Sequence, residues 1–305
     1  MVATVLSSDG ENDPDIIAIV GASLALHISD IPFEAPVGAV RDSLIDGAFV
    51  VNPTYAQRET ATMDLVVVGL ENGIVMIEGE ANQVPDEKVK EGLRFAQEAL
   101  QSIRKAQEDF RKQVGIPKAT VELIKSHPGL KNKVAEIVGN RLSQAYSMAD
   151  KTKREEAQGQ LFDEITKDLT VYQEFKPATR DVTAGDIKMA MEVIEYDLVR
   201  KMVFEQHKRA DGRSPKEIRP ISAEVETLPR THGSAIFTRG QTQSLSIVTL
   251  GTKKDEQLIE SLEGVDYQNF MLHYNFPSFS VGETKPMRGP GRREIGHGAL
   301  ALKSL

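Results

Sequence analysis

The spacing of apolar residues changes along this chain and constrains its fold more than any other feature. Between residues 85 and 207, apolar residues recur at intervals of three and four, as on one face of an α-helix. On either side, short apolar runs alternate with turn residues, which is typical of strands and their connections. The sequence therefore predicts a helical region that joins or braces two α/β regions.

The first of these regions covers residues 1–84, and we expect it to begin with a strand over residues 1–6. Asp13 and Pro14 then have the pattern of an N-cap followed by a proline at the first helical position. They predict a helix over residues 16–26. Its many small residues indicate close packing against a sheet.

Two hairpins are expected in the same region. The pair Asp46-Gly47 separates two short apolar runs, and the pair Asn72-Gly73 separates two longer ones. Asp-Gly and Asn-Gly pairs tolerate the positive φ angles that tight hairpin turns require. The sequence therefore predicts antiparallel strands on both sides of each pair.

The middle region predicts helices of different lengths. The apolar spacing places them over residues 89–114, 133–148, 161–172 and 187–202. Thr183 is the expected N-cap of the last one. The charged stretch at 150–156 is interpreted as a solvated turn or a helix start without a functional role.

The last region returns to strand-like patterns. Strands are expected over residues 221–225, 234–237, 243–250 and 270–274. The apolar run at 300–305 predicts the beginning of a helix.

Charge and composition limit the possible functions. The formal net charge is −8, so a polyanion would have to bind at a local basic site rather than through bulk charge. The sequence contains no cysteine, which excludes disulfides, thiolate metal ligands and cysteine nucleophiles. The longest apolar stretch, residues 16–28, is too short and too mixed to span a bilayer, so we expect a cytoplasmic protein without a membrane segment.

The densest functional signal is the segment at 282–298, which reads GETKPMRGPGRREIGHG. Its glycines present Arg292 and Arg293 at an expected junction between a loop and a helix. At such a junction, guanidinium groups and free backbone N–H groups can face a phosphate together. Because His297 lies four residues after Arg293, we expect these three side chains to form an anion site.

Each basic cluster also has a structural interpretation. Glu283 and Glu294 could pair with the two arginines in a surface network. A second cluster, HKRADGR at 207–213, is either an anion site or a solvated domain junction. A third, RTHGS at 230–234, is either a site or a polar lead into a strand.

Several well-known catalytic motifs are absent from the sequence. It has no Walker-type glycine loop, no dinucleotide-binding glycine motif, no His-Glu-x-x-His and no Gly-x-Ser-x-Gly. Nucleoside-triphosphate hydrolysis, Rossmann-type redox chemistry and zinc proteolysis therefore lack support.

Several segments together resemble the bacterial polynucleotide phosphorylase family, whose members are also called polyribonucleotide nucleotidyltransferases. The segments are RADGR at 209–213, LPRTHGSAIFTRGQTQ at 228–243, HYNFP at 273–277, SVGET at 280–284 and GRREIGHG at 291–298. The segments NDPD at 12–15 and GASLAL at 21–26 extend the resemblance to essentially the whole chain.

This resemblance implies an α/β (α+β) fold class: ribonuclease-PH-like cores, of the ribosomal protein S5 domain 2-like type, flanking an all-α helical domain. It assigns residues 1–84 to the C-terminal half of a degenerate first core. It assigns residues 85–207 to the helical linker domain and residues 208–305 to the N-terminal half of the second core. The chain is then expected to be an internal piece of a longer enzyme.

In that family, inorganic phosphate attacks the 3′-terminal phosphodiester of single-stranded RNA and releases nucleoside diphosphates, a reversible reaction used in mRNA degradation. The resemblance implies that Arg292 and Arg293 bind phosphate or the RNA 3′ end and that His297 lines the same pocket. Arg209 and Arg213 are further candidates for binding RNA or phosphate. The resemblance also implies a homotrimer, a possible RNA-degradation complex, and Mg²⁺ or Mn²⁺ held by ligands outside this chain.

The first core departs from the active pattern of the family. By resemblance, Asp64 occupies one aspartate position, Arg58 stands at the other, and Val66 stands at the lysine position. This core is therefore expected not to catalyse, and the metal ligands and serine-rich phosphate loop of the second core are expected outside this chain. Two hypotheses follow: the chain is part of a phosphorolytic exoribonuclease and is inactive alone, or it is a non-catalytic RNA-binding or trimer-assembly fragment.

Overall fold

The computed structural model describes residues 1–121, 128–168, 181–286 and 288–305. The chain divides into two compact units. The first unit combines Met1–Val121 with Gly251–Leu305, and the second unit is Glu122–Leu250.

A four-stranded antiparallel sheet forms the centre of the first unit. Its strands are β1 (Gly38–Ile45), β2 (Ala48–Val51), β3 (Met63–Leu70) and β4 (Gly73–Ala81), in the order β2-β1-β3-β4. Asp46 and Gly47 both have positive φ angles, 50° and 81°, as the tight turn between β1 and β2 requires. Both predicted hairpins are confirmed by the strand pairing.

Helices cover both faces of this sheet. The long helix α3 (Asp86–Val114) packs on one face, and α1 (Asp15–Ile28) packs on the other; a single-turn helix α2 (Tyr55–Arg58) connects β2 to β3. The core between α3 and the sheet contains Val40, Leu44, Met63, Leu65, Val67, Ala96 and Leu100. The smaller core under α1 contains Ile16, Ala39 and Val68. The predicted long helix and the predicted first helix are therefore both confirmed.

The beginning of the chain differs from its prediction in two ways. Residues 1–6 form no strand, because they pair with no neighbouring strand. The N-cap of α1 is Pro14 rather than Asp13, and it makes no side-chain capping bond. The carboxylate of Asp13 instead accepts hydrogen bonds from two arginines outside the helix.

Four helices form a separate core in the second unit. They are α4 (Pro128–Val138), α5 (Arg141–Tyr146), α6 (Lys151–Lys167) and α7 (Ala184–Glu205). The buried residues of this core on the helices are Leu130, Val134, Val138, Leu142, Leu161, Ile165, Ile187, Ala190 and Met191, and Val182 joins it from the segment before α7. Apolar spacing thus predicted Leu161, Ile165, Ile187 and Met191 of this core, whereas Leu130 and Val182 lie outside the predicted helices.

The observed helix boundaries can be compared with those predicted from the sequence. The helix expected over residues 133–148 is two helices, because the chain turns at Gly139, whose φ angle is +50°. Thr183 caps α7 as predicted, and it forms a reciprocal capping box with Asp186. Asp150 caps α6, so the charged stretch there is a helix start. The last part of the helix expected over residues 161–172 lies outside the described residues.

The second unit also contains a three-stranded antiparallel sheet. It consists of β5 (Ile221–Val225), β6 (Gly233–Arg239) and β7 (Thr242–Val248), in chain order. These elements confirm three of the strands expected in the last region. Most of their side chains are exposed on both faces of the sheet.

The remaining part of the first unit contains a hairpin and a helix. The hairpin of β8 (Gln257–Ser261) and β9 (Gly264–Gln268) was not predicted. The strand expected over residues 270–274 is wrong, because this stretch is paired with no strand. The terminal helix is present, but α8 (Arg292–Lys303) begins at the two arginines rather than near residue 300.

None of the helices in the described ranges combines the length and the apolar character needed to cross a membrane.

Gly92 allows α3 to lie close to the sheet, and it provides a test of this packing. A Cβ atom at this position would lie 2.7 Å from Met63 Cε and 2.8 Å from Asp42 Oδ2. We expect Gly92→Ala to lower the free energy of unfolding by about 1–3 kcal/mol, because it overpacks the core. Urea denaturation of the purified chain measures this change.

Gly21→Ala is the matched control, because Gly21 lies within α1 and no atom lies within 4 Å of the added methyl group. There the better helix propensity of alanine should raise the free energy of unfolding, by up to about 1 kcal/mol. A change of the same sign in both variants would contradict the packing described for Gly92.

Candidate functional site

Arg292 and Arg293 are the first two residues of α8. The glycine-rich loop before them ends at Gly291, the N-cap, which has extended backbone angles and makes no side-chain capping bond. The first backbone N–H groups of a helix have no partner inside the helix. The structure therefore confirms the predicted junction between a loop and a helix at these two arginines, and their joint binding of an anion stays a prediction.

Both guanidinium groups are available to a ligand. Their side chains are exposed, and neither forms an ion pair with any residue that the structure describes. Glu283 pairs with Lys285 instead. Glu294 lies beside Gly291, where a Cβ atom would be 2.7 Å from its Oε2. The alternative surface network with these two glutamates is therefore not formed.

His297 lies one helical turn after Arg293 and faces an aromatic ring. The centroids of the His297 and Tyr274 rings are 5.5 Å apart, and the rings meet edge to face at 74°. Gly298 lets α8 approach this residue, since a Cβ atom there would lie 3.3 Å from Tyr274 Cβ. His297 thus contacts Tyr274 from the sixth position of α8, a contact that the sequence did not predict.

A cavity of about 420 Å³ adjoins this part of α8. It is lined by Leu272, His273, Tyr274, Asn275, Pro290, Glu294, Ile295 and Gly298. Its size is within the range of small-ligand pockets. The residues that replace the expected strand at 270–274 therefore form one wall of a cavity against α8, but Arg292, Arg293 and His297 are not among the residues that line it.

Arg213 is held within its own loop in the second unit. Its Nε donates to Asp211 Oδ2 at 2.9 Å, and its Nη1 donates to the carbonyl oxygen of Glu217 at 2.7 Å. The hydrogen bond from Arg213 lowers the pKa of Asp211. Arg209 donates to the carbonyl oxygen of Pro215. Both predicted binding residues thus stabilise this loop, and their contact with RNA or phosphate stays a prediction.

The third basic segment has a structural contact as well. The Nδ1 atom of His232 accepts a hydrogen bond from the backbone N–H of Leu250 at 2.8 Å. This bond fastens the end of the segment that follows β7. Arg230 remains exposed.

A network of ions lies in the first unit, at the positions assigned to the degenerate core. Arg41 Nη1 lies 2.7 Å from Asp64 Oδ2. Its Nη2 lies 3.2 Å from Asp13 Oδ2 and 2.5 Å from Asp15 Oδ2. Burial alone would lower the pKa of Arg41, but the three carboxylates raise it. Sequence reasoning missed Arg41, because its partners are distant along the chain.

Arg58 completes this network from α2. It contacts two of the three carboxylates that Arg41 contacts, Asp64 at 3.2 Å and Asp13 at 3.1 Å. Val66, at the predicted lysine position, packs against the core under α1. The carboxylate of Asp64 is therefore occupied by guanidinium groups.

Asp42 is a buried carboxylic acid beside this network. Its side chain points toward α3, and neither carboxylate oxygen has a hydrogen-bond partner. Burial, together with the nearby charge of Asp64, raises the pKa of Asp42 to about 7. The carboxyl group is thus largely protonated below neutral pH.

A metal site is not formed by the side chains placed in the structure. Within the described ranges, no group of three or more histidine, aspartate or glutamate residues could hold a metal ion. These residues therefore do not fit the divalent metal that the resemblance implies.

Three protein-family models match separate parts of the chain. The "3′ exoribonuclease family, domain 2" matches residues 35–99, and "domain 1" of the same family matches residues 217–305. Between them, the "Polyribonucleotide nucleotidyltransferase, RNA binding domain" matches residues 129–214. The predicted fold class, ribonuclease-PH-like regions on both sides of a helical domain, is confirmed by these matches.

Curated relatives align with the whole chain. The polyribonucleotide nucleotidyltransferase of Heliobacterium modesticaldum is 44% identical over 306 residues, and that of Caldicellulosiruptor saccharolyticus is 44% identical over 305 residues. The enzyme of the same name from Persephonella marina is 42% identical over 306 residues. Each alignment covers 100% of this chain and 42% of the relative, so the chain spans about two fifths of their length.

Replacing Arg41 tests the ionic network. The Arg41 side chain is only 11% exposed, so Arg41→Met leaves three carboxylates close together without their common partner. We expect the free energy of unfolding to fall by about 3–5 kcal/mol at pH 7. Lys90→Met, which removes an exposed ion pair with Glu87, should cost less than about 1 kcal/mol. Similar losses in the two variants, measured by urea denaturation, would show that the network adds little stability.

Asp42 should make stability depend on pH. Its folded-state pKa of about 7 lies above the ordinary value of 3.8, so the folded protein retains a proton that the unfolded chain releases. The free energy of unfolding should therefore decrease as the pH rises from about 4 to about 7 and then stay level.

Asp42→Asn should make this part of the pH profile flatter, because it removes the titrating group. The exposed turn variant Asp46→Asn should keep the profile of the original chain. Thermal unfolding from pH 4 to pH 8 measures all three proteins. An unchanged slope in Asp42→Asn would mean that another group causes the dependence.

Proposed function

We propose that this chain, a relative of the polyribonucleotide nucleotidyltransferases along its whole length, is part of a phosphorolytic 3′-to-5′ exoribonuclease. In this reaction, an oxygen of inorganic phosphate attacks the terminal phosphodiester of single-stranded RNA. The bond to the 3′ oxygen of the preceding nucleotide breaks, and a nucleoside diphosphate leaves. The reverse reaction extends RNA and releases phosphate, which gives the nucleotidyltransferase activity.

The observation that carries this proposal is the pair of arginines at the N-terminus of α8, which have no acidic partner among the described residues. The attacking and the scissile phosphate are both anions, so their approach requires positive charge placed in advance. Guanidinium groups bind phosphate oxygens with two parallel hydrogen bonds. Arg292 and Arg293 would hold the two anionic groups, while the helix N-terminus adds partial positive charge.

His297 would act as a hydrogen-bond donor in the same site. Its position one turn after Arg293 places it on the same end of α8, and Tyr274 limits the orientation of its ring. A ring held in this way can bind a phosphate or ribose oxygen without first losing rotational freedom. We assign it a role in binding the RNA 3′ end.

The order of the family matches supports the proposed domain arrangement. Domain 2 of the exoribonuclease family precedes domain 1 in this chain. This order is expected if residues 1–84 end a first core, residues 85–207 form a helical linker and residues 208–305 begin a second core. The ionic network of Arg41 and Arg58 supports a first core without catalysis, because its carboxylates already have cationic partners.

The remaining components of the enzyme would come from outside this chain. We propose Mg²⁺ or Mn²⁺ as the cofactor, single-stranded RNA and inorganic phosphate as substrates, and a cytoplasmic homotrimer as the active assembly. An RNA-degradation complex is the proposed larger partner. The chain alone would be inactive, since its described residues form no metal site. The same observation favours a second candidate, a non-catalytic fragment that binds RNA or assists trimer assembly.

The proposed function is tested by release of nucleoside diphosphate from single-stranded RNA with phosphate and magnesium. We expect activity in the full-length protein and none in the chain of residues 1–305. In the full-length protein, replacing both Arg292 and Arg293 with alanine should lower kcat/KM by at least about 100-fold, because phosphate loses its main partners.

Replacing both Lys253 and Lys254 with alanine is the matched control, since it also removes two adjacent exposed cations from the first unit. That variant should keep its activity. Equal losses in the two double variants would contradict a specific role for the arginines. A full-length protein without phosphate-dependent release would leave only the non-catalytic candidate.

A further inference from the structure

Three side chains form an exposed row along α7 in the second unit. Tyr196, Arg200 and Phe204 are spaced by four residues, so they are neighbours on one side of the helix. The guanidinium carbon of Arg200 lies 5.4 Å from the Tyr196 ring centroid and 4.8 Å from the Phe204 ring centroid. We call these three residues the aromatic row.

The two rings of the aromatic row are unusually open to solvent. Tyr196 is 60% exposed and Phe204 is 64% exposed. The core of the helical region is formed by other residues of α7, including Ile187 and Met191. The aromatic row therefore contributes little to the core, and large exposed aromatic side chains are typical of binding surfaces.

Arg200 is held by the rings rather than by a carboxylate. It forms no ion pair with any residue in the described part of the chain. The adjacent Lys201 pairs with Glu205 at 3.9 Å, and Asp197 pairs with Lys131 at 2.9 Å. The acidic groups nearby thus have other partners, and the planar guanidinium remains against the two aromatic faces.

The chemistry of the aromatic row matches flat aromatic ligands. Unpaired nucleobases stack on aromatic side chains and on arginine planes, and this contact tolerates any base. The guanidinium can cover only one face of each ring, which leaves exposed ring area for a base. Arg200 is the one cation of the row, and the acidic Glu192 and Asp197 lie on the same helix within one turn of Tyr196, so stacking rather than attraction of phosphate would provide most of the binding here.

We propose that the aromatic row on α7 is a stacking platform for unpaired bases of single-stranded RNA. This inference rests on the proposed function, in which RNA is the substrate. The row lies within residues 129–214, the part matched by the family model described as an RNA binding domain. Binding there depends mainly on ring stacking, so it should weaken less with increasing salt concentration than binding at the arginines of α8.

The test uses the full-length protein and labelled single-stranded oligo(A), oligo(U) and an abasic oligomer of the same length. Replacing both Tyr196 and Phe204 with leucine keeps an apolar surface but removes the rings. We expect Kd for oligo(A) and oligo(U) to rise at least about fivefold, at low and at high salt. Kd for the abasic oligomer should stay the same.

Two control variants make the result specific. Tyr196→Phe keeps the ring and should bind RNA like the original protein. Phe110→Leu removes an exposed aromatic side chain, 43% exposed, from α3 and should also leave binding unchanged. The two single leucine variants are measured as well, so that a loss of stability in the double variant still leaves a comparison.

The outcomes separate this inference from the proposed function. If nucleoside diphosphate is released normally and the leucine variants bind oligo(A) as tightly as the original protein, the stacking platform is wrong. Equal weakening for the abasic oligomer would also overturn it, because the lost binding would then not depend on bases. If RNA binding weakens as expected but no nucleoside diphosphate is released, only the proposed catalytic function fails.

Discussion

Arg41 connects three elements of the first unit through one buried guanidinium group. It contacts Asp13 and Asp15 at the N-terminus of α1 and Asp64 on β3, while its own backbone belongs to β1. A charge with so little exposure requires partners on several sides, because water cannot compensate for their loss. The position of α1 on the sheet therefore depends on this contact as well as on apolar packing.

The same contact explains why arginines have different roles in this chain. Arg41 and Arg58 contact carboxylates that balance their charge, so neither guanidinium is free to bind a phosphate. Arg292 and Arg293 stand at a helix N-terminus without an acidic partner among the described residues. Residue type alone does not distinguish the pair Arg41 and Arg58 from the pair Arg292 and Arg293. The residues that surround each pair in the folded chain do.

The proposed contacts with RNA would act through different forces. The arginines of α8 would attract the phosphate groups, and this attraction would not depend on the base. The aromatic row on α7 would bind base faces, which are available only in unpaired RNA. Together these forces suit an enzyme that removes successive nucleotides from single strands of any sequence, since neither contact reads base edges.

Local features of this fold were determined by the sequence itself. The Asp46-Gly47 turn, the hairpin of β3 and β4, the long helix α3 and the Thr183 cap were predictable because each depends on residues close together along the chain. Asn72 and Gly73, however, do not have the positive φ angles on which the second hairpin was predicted. The glycine-rich motif likewise located Arg292 and Arg293 at a helix start.

Only the tertiary structure decided the partners of distant residues. Asp13 resembles a helix cap in the sequence, yet it pairs with arginines 28 and 45 residues away. The stretch at 270–274 has a strand pattern, but without a neighbouring strand it forms the wall of a cavity beside α8. Turns and helices depend on local spacing, whereas ion pairs, strand pairing and burial depend on what the folded chain brings into contact.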